Sequence, residues 1–230
     1  MVSYDAADGE LFHTRVWHGA AVPDATTPER TGDRRGPFKI VFHGGIEPRD
    51  GILEFLDVFA IVAAKTEAEL VLLGRGAAVA EIERRIAREP WGGRVRLGGW
   101  IDYREIPAAL AEVDLAILPS LDTPMNRMVI PRKAFEYMAL GIPMVATDLP
   151  VMRELLDDEE VAFVPARDPV RFADEIVKLI LDPSRRARMR GRLLTKAAGL
   201  TLQSEVARIV REVEECAENA VQSSEFRVQS

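Results

Sequence analysis

Residues 131–148 read PRKAFEYMALGIPMVATD, and the pattern of this stretch indicates the fold class. Its first part begins with a proline and ends with Gly141, an asymmetry typical of an α-helix. Its second part, PMVATD at 143–148, is a short β-rich run, and a similar run, DLAILPS at 114–120, precedes the helix. A helix between two such strands predicts one strand–helix–strand unit of a parallel sheet.

The same alternation continues in both directions, from about residue 38 to residue 199. Further strand-like runs are FKIVFHG, ELVLLG, VRLGG and VAFVPA, and the helical runs between them include YREIPAALAEV at 103–113 and FADEIVKLILD at 172–182. We therefore predict an α/β fold, a doubly wound parallel sheet of the Rossmann-like type. Ligands of such sheets bind beyond the carboxyl ends of the strands. Here those ends are the loops at 44–51, 74–76, 99–103, 119–131 and 147–151.

The composition is that of a globular protein. The chain has 230 residues, of which 47% are hydrophobic, so it can bury a substantial core. The formal net charge is −7. Proteins that bind nucleic acid in general carry a basic face, so we expect no nucleic-acid partner.

The cysteine content and the apolar runs indicate the cellular compartment. Cys216 is the single cysteine, so no internal disulfide forms and a reducing compartment is expected. No apolar run approaches the length of a membrane span, and the first residues lack the pattern of a signal peptide. We expect a soluble cytoplasmic protein, with peripheral contact to a membrane left open.

The chain divides into three parts. Residues 20–37, rich in proline, glycine and charge, are typical of a linker, and one strand-like piece at 13–18 precedes them. Residues 38–199 are predicted to form the α/β domain. Residues 200–230 combine an amphipathic helix at 202–216 with a polar tail. Docking of that helix onto its own domain is favoured, and contact with a partner is the alternative.

Glu136 and Lys133 form the most informative pair of charges. Glu136 lies inside the apolar run 134–140, where a charge without a partner would be costly. Lys133 lies one helical turn earlier, on the same face. One interpretation is a surface ion pair worth a few tenths of a kcal/mol. The other is a pocket in which the carboxylate accepts ribose hydroxyls, while Lys133 and the positive end of the helix dipole suit a phosphate.

The segment HGGIEPRDG at 43–51 is a second candidate. Gly44 and Gly45 at a strand end let backbone N–H groups approach an anion, and Arg49 adds a planar fork of donors. The segment matches neither a Walker A loop nor a GxGxxG fingerprint. On its own, an ordinary β–α turn is the favoured interpretation, with His43 as a structural histidine.

Three weaker signals complete the survey. The segment GRGAAVA at 74–80 is interpreted as a plain turn, although Arg75 is a candidate to face a ligand. Asp157 and Asp158 are typical of a solvated acidic loop, and no His/Cys cluster has the spacing of metal ligands. Ser120 lacks the context of a hydrolase nucleophile.

Four segments, taken in order, resemble the C-terminal domain of the retaining glycosyltransferases of family four, which have the GT-B fold. The resemblance runs from about Phe38 to Gly199. The segments are HGGIEPRDGILEF, LVLLGRGAAVAEI, VRLGGWIDYREIPAALAEVDLAILPS and PRKAFEYMALGIPMVATDLPVMREL. The resemblance implies that the substrate is a nucleoside diphosphate sugar, that its sugar is transferred with retention, and that neither a cofactor nor a metal is needed.

The resemblance also implies roles for individual residues. Glu136 matches the glutamate that binds the donor ribose, and Arg49 and Lys133 are the candidates for charge on the diphosphate, which makes these three the catalytic set. The wider donor-binding set adds six positions. Gly44 and Gly45 belong to the loop at 44–51, here called the glycine loop, and Trp100 and Ile101 belong to the segment that faces the base. Arg75 and Pro131 complete the set.

Three departures from the family pattern bear on function. Met128 stands where the family often has a second glutamate, and Gly45 and Asp50 stand where it often has an arginine and a lysine. A GT-B enzyme also needs an N-terminal acceptor domain, and residues 1–37 resemble only the end of that domain and the linker after it. We therefore weigh three functions: an enzyme half completed by a separate acceptor-domain chain, a non-catalytic nucleotide-sugar-binding module, and a scaffold without ligand.

Overall fold

The computed structural model of the chain describes residues 36–199. Within this range six strands form one sheet. The predictions at 13–18, at 202–216 and for most of the linker at 20–37 lie outside the described residues. The strands are β1 (Lys39–Gly45), β2 (Glu69–Arg75), β3 (Val95–Gly99), β4 (Leu115–Leu118), β5 (Met144–Thr147) and β6 (Val161–Val164).

The order of the strands across the sheet is β3-β2-β1-β4-β5-β6, and all neighbouring pairs are parallel. This order confirms the predicted doubly wound Rossmann-like sheet. The chain reverses its direction of winding between β1 and β4, so a crevice opens at the carboxyl ends of these two strands.

Seven α-helices lie among the described residues, close to their predicted positions. The predicted helix at 103–113 is shorter than expected: Asp102 caps a 3-10 turn at Tyr103–Glu105, and only Ile106–Leu110 is α-helical. The helix predicted from 172 begins three residues earlier, because Asp168 accepts a hydrogen bond from the Arg171 N–H at 2.9 Å. The helices are α1 (Ile52–Lys65), α2 (Val79–Ile86), α3 (Ile106–Leu110), α4 (Arg132–Ala139), α5 (Pro150–Leu155), α6 (Pro169–Leu181) and α7 (Pro183–Gly199).

Side chains alternate between two apolar layers, one on each face of the sheet. Ile40 and Phe42 of β1 belong to the layer beneath α1 and α6, and Val41 belongs to the layer beneath α4. Phe55 of α1 meets Phe172 of α6 edge to face, with ring centroids 5.5 Å apart. Because successive side chains of a strand point to opposite faces, the central strands are buried on both sides, whereas β3, at one edge of the sheet, is mostly exposed.

The basic helix α7 is bound to the domain through its cations. Arg190 donates to the carbonyl groups of Leu140 and Gly141 at 3.1 and 3.2 Å. Lys196 pairs with the buried Glu160 at 2.5 Å. The Arg190 contacts hold α7 against the C-terminal end of α4, and the Lys196 contact holds it beside the start of β6. Between residues 36 and 199, no helix combines the length and the apolar character needed to cross a bilayer.

Candidate functional site

The loops after β1 and β4 meet at the crevice. The Arg49 carbonyl accepts hydrogen bonds from the Leu121 N–H at 3.1 Å and from Asn126 Nδ2 at 3.0 Å. A β-carbon on Gly51, whose φ is 73°, would lie 2.0 Å from the Pro119 carbonyl oxygen. Only glycine allows this approach, so the chain brings two of the predicted ligand loops together through their backbones.

One face of α4 points at the end of β1. Lys133, Glu136 and Tyr137 follow one another at helical spacing on this face. The Lys133 ammonium lies 3.7 Å from the centroid of the Phe42 ring, and the Tyr137 hydroxyl accepts a hydrogen bond from the His43 N–H at 3.1 Å. The first turn of α4 therefore lies beside the glycine loop, as an anion site at a helix N-terminus requires.

Glu136 is bound to His43. The distance from His43 Nε2 to Glu136 Oε2 is 2.5 Å, and the two side chains are 3% and 4% exposed. An ionised Glu136 carboxylate would accept this hydrogen bond from the Nε2–H group of His43. The sequence favoured a purely structural role for His43. Nothing in it indicated that His43 pairs with Glu136, which lies 93 residues away.

Lys133 is a largely buried cation whose partner is an acid on the loop after β1. Its Nζ lies 3.5 Å from Asp50 Oδ1, and its side chain is 11% exposed. Burial lowers the pKa of Lys133 to about 8, against the opposing effect of Asp50. The interpretation of Lys133 and Glu136 as a surface ion pair is therefore wrong, because Glu136 is buried, Lys133 is largely buried and each has another partner.

A cavity of about 160 Å³ adjoins this cluster, between the two loops and the end of β5. Arg49, Asp50 and Pro131 line it, together with Ser120 and Thr147. Arg49, which is exposed, is the positively charged residue among those that line this cavity. Met128, at the position of the family's second glutamate, is 70% exposed.

A second group of predicted residues lies at the ends of β2 and β3. Arg75 is opposite Gly45 in the register of β1 and β2. Its guanidinium lies 4.4 Å from the centroid of the Trp100 ring, and Trp100 is 59% exposed. Ile101 is half-buried against the apolar layer. An exposed aromatic ring stacked on a cation is able to take a planar ligand.

Asp157 and Asp158 are exposed, and Arg153 of α5 binds Asp158 at 2.8 Å. In the part of the chain that the structure describes, no group of three or more His, Cys, Asp or Glu side chains is arranged to hold a metal ion.

Comparisons with known proteins identify the family and the fold. Residues 37–182 match the model of the family described as Glycosyl transferases group 1. The chain is 30% identical over 162 residues to a phosphatidyl-myo-inositol mannosyltransferase of Mycobacterium leprae, an alignment that covers 68% of this chain and 41% of that protein. The chain spans 34–44% of the length of the curated relatives it matches.

Solved structures show the same fold. HepE of Anabaena, in complex with UDP and glucose, superposes with a TM-score of 0.67 at 19% identity over 78% of this chain and 48% of that chain. The C-terminal domain of LpcC, a glycosyl transferase group 1 family protein from Francisella tularensis, superposes with a TM-score of 0.58 at 21% identity over 72% of this chain and 87% of that chain. The sheet is thus the Rossmann-like half of a GT-B fold, and the chain belongs to the glycosyl transferases group 1 family.

Proposed function

We propose that this chain is the donor-binding half of a glycosyltransferase, which uses a nucleoside diphosphate sugar and transfers the sugar with retention. One observation carries the proposal: α4 presents a buried carboxylate and a largely buried ammonium at the crevice between β1 and β4. Burying two ionisable groups there costs stability, and a ligand that uses both would explain the cost.

The roles follow from the chemistry of each group. Glu136 accepts the ribose hydroxyls, Lys133 and the N-terminus of α4 bind the diphosphate, and Arg49 contacts it from the opposite loop. Gly44 and Gly45 let the backbone approach the phosphates. Positive charge held at this point stabilises the negative charge that develops on the departing nucleoside diphosphate.

The acceptor is proposed to bind outside this chain. The curated relatives are longer, and their names describe transfer of mannosyl and kanosaminyl groups. We therefore propose a hexosyl donor, and an acceptor domain supplied by further sequence or by a separate chain. The mannosyltransferase is named for phosphatidyl-myo-inositol, and we therefore also propose that the complete protein contacts a membrane peripherally.

A non-catalytic nucleotide-sugar-binding module is the second candidate. Asp50 supports it, because this carboxylate lies 3.5 Å from Lys133 and partly neutralises the cation that would face the diphosphate. Both candidates predict donor binding. Hydrolysis or transfer of the sugar, measured after addition of an acceptor domain, separates them.

Calorimetric titration tests the proposal. The full chain is titrated with UDP, GDP and their sugar conjugates, and the same titrations are made with Glu136→Ala. We expect saturable binding of one nucleotide, weakened roughly 10- to 100-fold by the substitution, because hydrogen bonds to a charged group are worth about 1.5–3 kcal/mol. Equal affinity of the two proteins, both shown to be folded, would contradict the role of Glu136.

Trp100 provides a separate test of the base site. We expect nucleotide binding to quench tryptophan fluorescence and Trp100→Leu to remove most of this signal, because the exposed ring would stack on the base. The affinity should fall about tenfold, in line with the value of base–aromatic stacking. Trp91→Phe is the control, since Trp91 is 7% exposed and packs on Phe59 inside the core. Unchanged quenching in Trp100→Leu would show that the base does not bind at Trp100.

A further inference from the structure

We infer that His43 is a positioning residue for the donor: it holds the Glu136 carboxylate in the orientation that accepts the ribose hydroxyls. The inference rests on the proposed function and adds a residue to it. It starts from the buried contact of 2.5 Å between His43 Nε2 and Glu136 Oε2. A carboxylate has about four lone-pair sites. Nε2 occupies one of them, and Oε1 stays available for hydroxyl groups.

The histidine is itself held on two sides. Its backbone N–H donates to the Tyr137 hydroxyl at 3.1 Å, and its ring meets the Tyr137 ring edge to face at 4.8 Å. Tyr137 is fully buried and directly follows Glu136 in α4. Strand β1 and helix α4 are therefore joined at this point by two hydrogen bonds, which fix both partners of the pair relative to each other.

The other ring nitrogen is consistent with a role through Glu136. Among residues 36–199, His43 Nδ1 is buried and has no hydrogen-bond partner. Leaving a buried polar atom without a partner is costly. The orientation of the ring thus favours the contact of Nε2 with Glu136 and leaves Nδ1 without a hydrogen bond. A leucine or phenylalanine would fill the same space at no such cost if packing alone were needed.

Without this contact, the Glu136 carboxylate would turn toward Lys133, the cation one helical turn earlier in α4. The charges of Asp50 and Arg49 on the facing loop also act on Lys133. Turning would remove the arrangement that accepts the ribose hydroxyls, whereas the cations proposed to bind the diphosphate would stay in place.

The test compares two polar substitutions in the full chain. Gln at position 43 places an amide N–H₂ near the position of Nε2, whereas Asn is one methylene shorter and does not reach Glu136. For each protein, calorimetry gives the ratio of the affinities for UDP and 2′-deoxy-UDP, and for GDP and 2′-deoxy-GDP. We expect the wild type and His43→Gln to prefer the ribonucleotide about tenfold or more, and His43→Asn to lose most of that preference.

The outcomes separate this inference from the proposed function. If the wild type binds neither UDP nor GDP, the proposed function fails. If it binds but does not distinguish ribose from deoxyribose, or if Glu136→Ala keeps that preference, Glu136 does not bind the ribose and the positioning role is overturned. If Glu136→Ala abolishes the preference but His43→Asn keeps it, or if His43→Gln loses as much as His43→Asn, the positioning role is overturned. Far-UV circular dichroism checks folding. Should His43→Asn not fold, His43→Phe replaces it, because it keeps the ring packing against Tyr137 without the donor.

Discussion

Lys133→Met is expected to abolish most of the affinity for nucleoside diphosphates and, at pH 7, to make the protein more stable. The loss of affinity should be roughly 10- to 100-fold, since a charge-assisted contact to phosphate disappears. The gain in free energy of unfolding should reach at most about 3 kcal/mol, because burial lowers the pKa of Lys133 from 10.5 to about 8. Methionine fills a similar space, and its sulfur suits the Phe42 ring beneath it.

The sign of the pH dependence follows from this lowered pKa. Below pH 8 the lysine is protonated in both the folded and the unfolded chain, so the fold bears the full cost of the buried charge. Between about pH 8 and 10.5 the unfolded chain binds more protons than the folded one, and the cost is relieved as the pH rises. The stability difference between Lys133→Met and the wild type should therefore be largest at pH 7 and should shrink toward pH 10.

Urea unfolding at pH 7, 8.5 and 9.5 and titration with UDP and GDP measure these two effects. Lys178→Met is the matched control, because Lys178 is an exposed lysine that pairs with Glu175 on α6. It should change the free energy of unfolding by no more than about 0.5 kcal/mol and leave affinity unchanged. A Lys133→Met protein that is less stable at pH 7 and binds nucleotide normally would make Lys133 a structural partner of Asp50 only.

Gly74→Ala is expected to cost more than about 4 kcal/mol, enough to unfold a protein of ordinary stability. A β-carbon at this position would lie 1.8 Å from the Gly44 carbonyl oxygen, and the φ of Gly74 is 154°. The neighbour is the backbone of the paired strand β1, so it does not yield as a flexible side chain would. The close approach of β2 to the glycine loop of β1 thus depends on Gly74.

Gly93→Ala is the control for this substitution. Its β-carbon would meet no atom within 4 Å, so we expect a change of less than about 1 kcal/mol. Urea unfolding and the yield of soluble protein compare the two variants. A Gly74→Ala protein with the midpoint of the wild type would show that β1 and β2 separate easily, and would contradict the requirement for glycine at position 74.

Helix α4 shows what a local sequence pattern predicts and what it does not. Proline and glycine punctuation predicted the helix at 131–141, and the structure has it at Arg132–Ala139. Helical spacing also predicted that Lys133 and Glu136 share a face. The same spacing allowed them to pair with each other at the surface, and that expectation failed because the face is buried against β1. Periodicity reports which residues lie together, but not what covers them.

The α/β class, the parallel arrangement of the strands and the family were determined by the sequence alone. They rest on local periodicity, on turn residues and on four segments in a fixed order along the chain. The partners of the charged residues were decided only by the tertiary structure. His43 and Glu136 are 93 residues apart, and Asp50 and Lys133 are 83 apart. Contacts over such separations depend on how the crossovers stack β1 against α4. No local pattern carries that geometry.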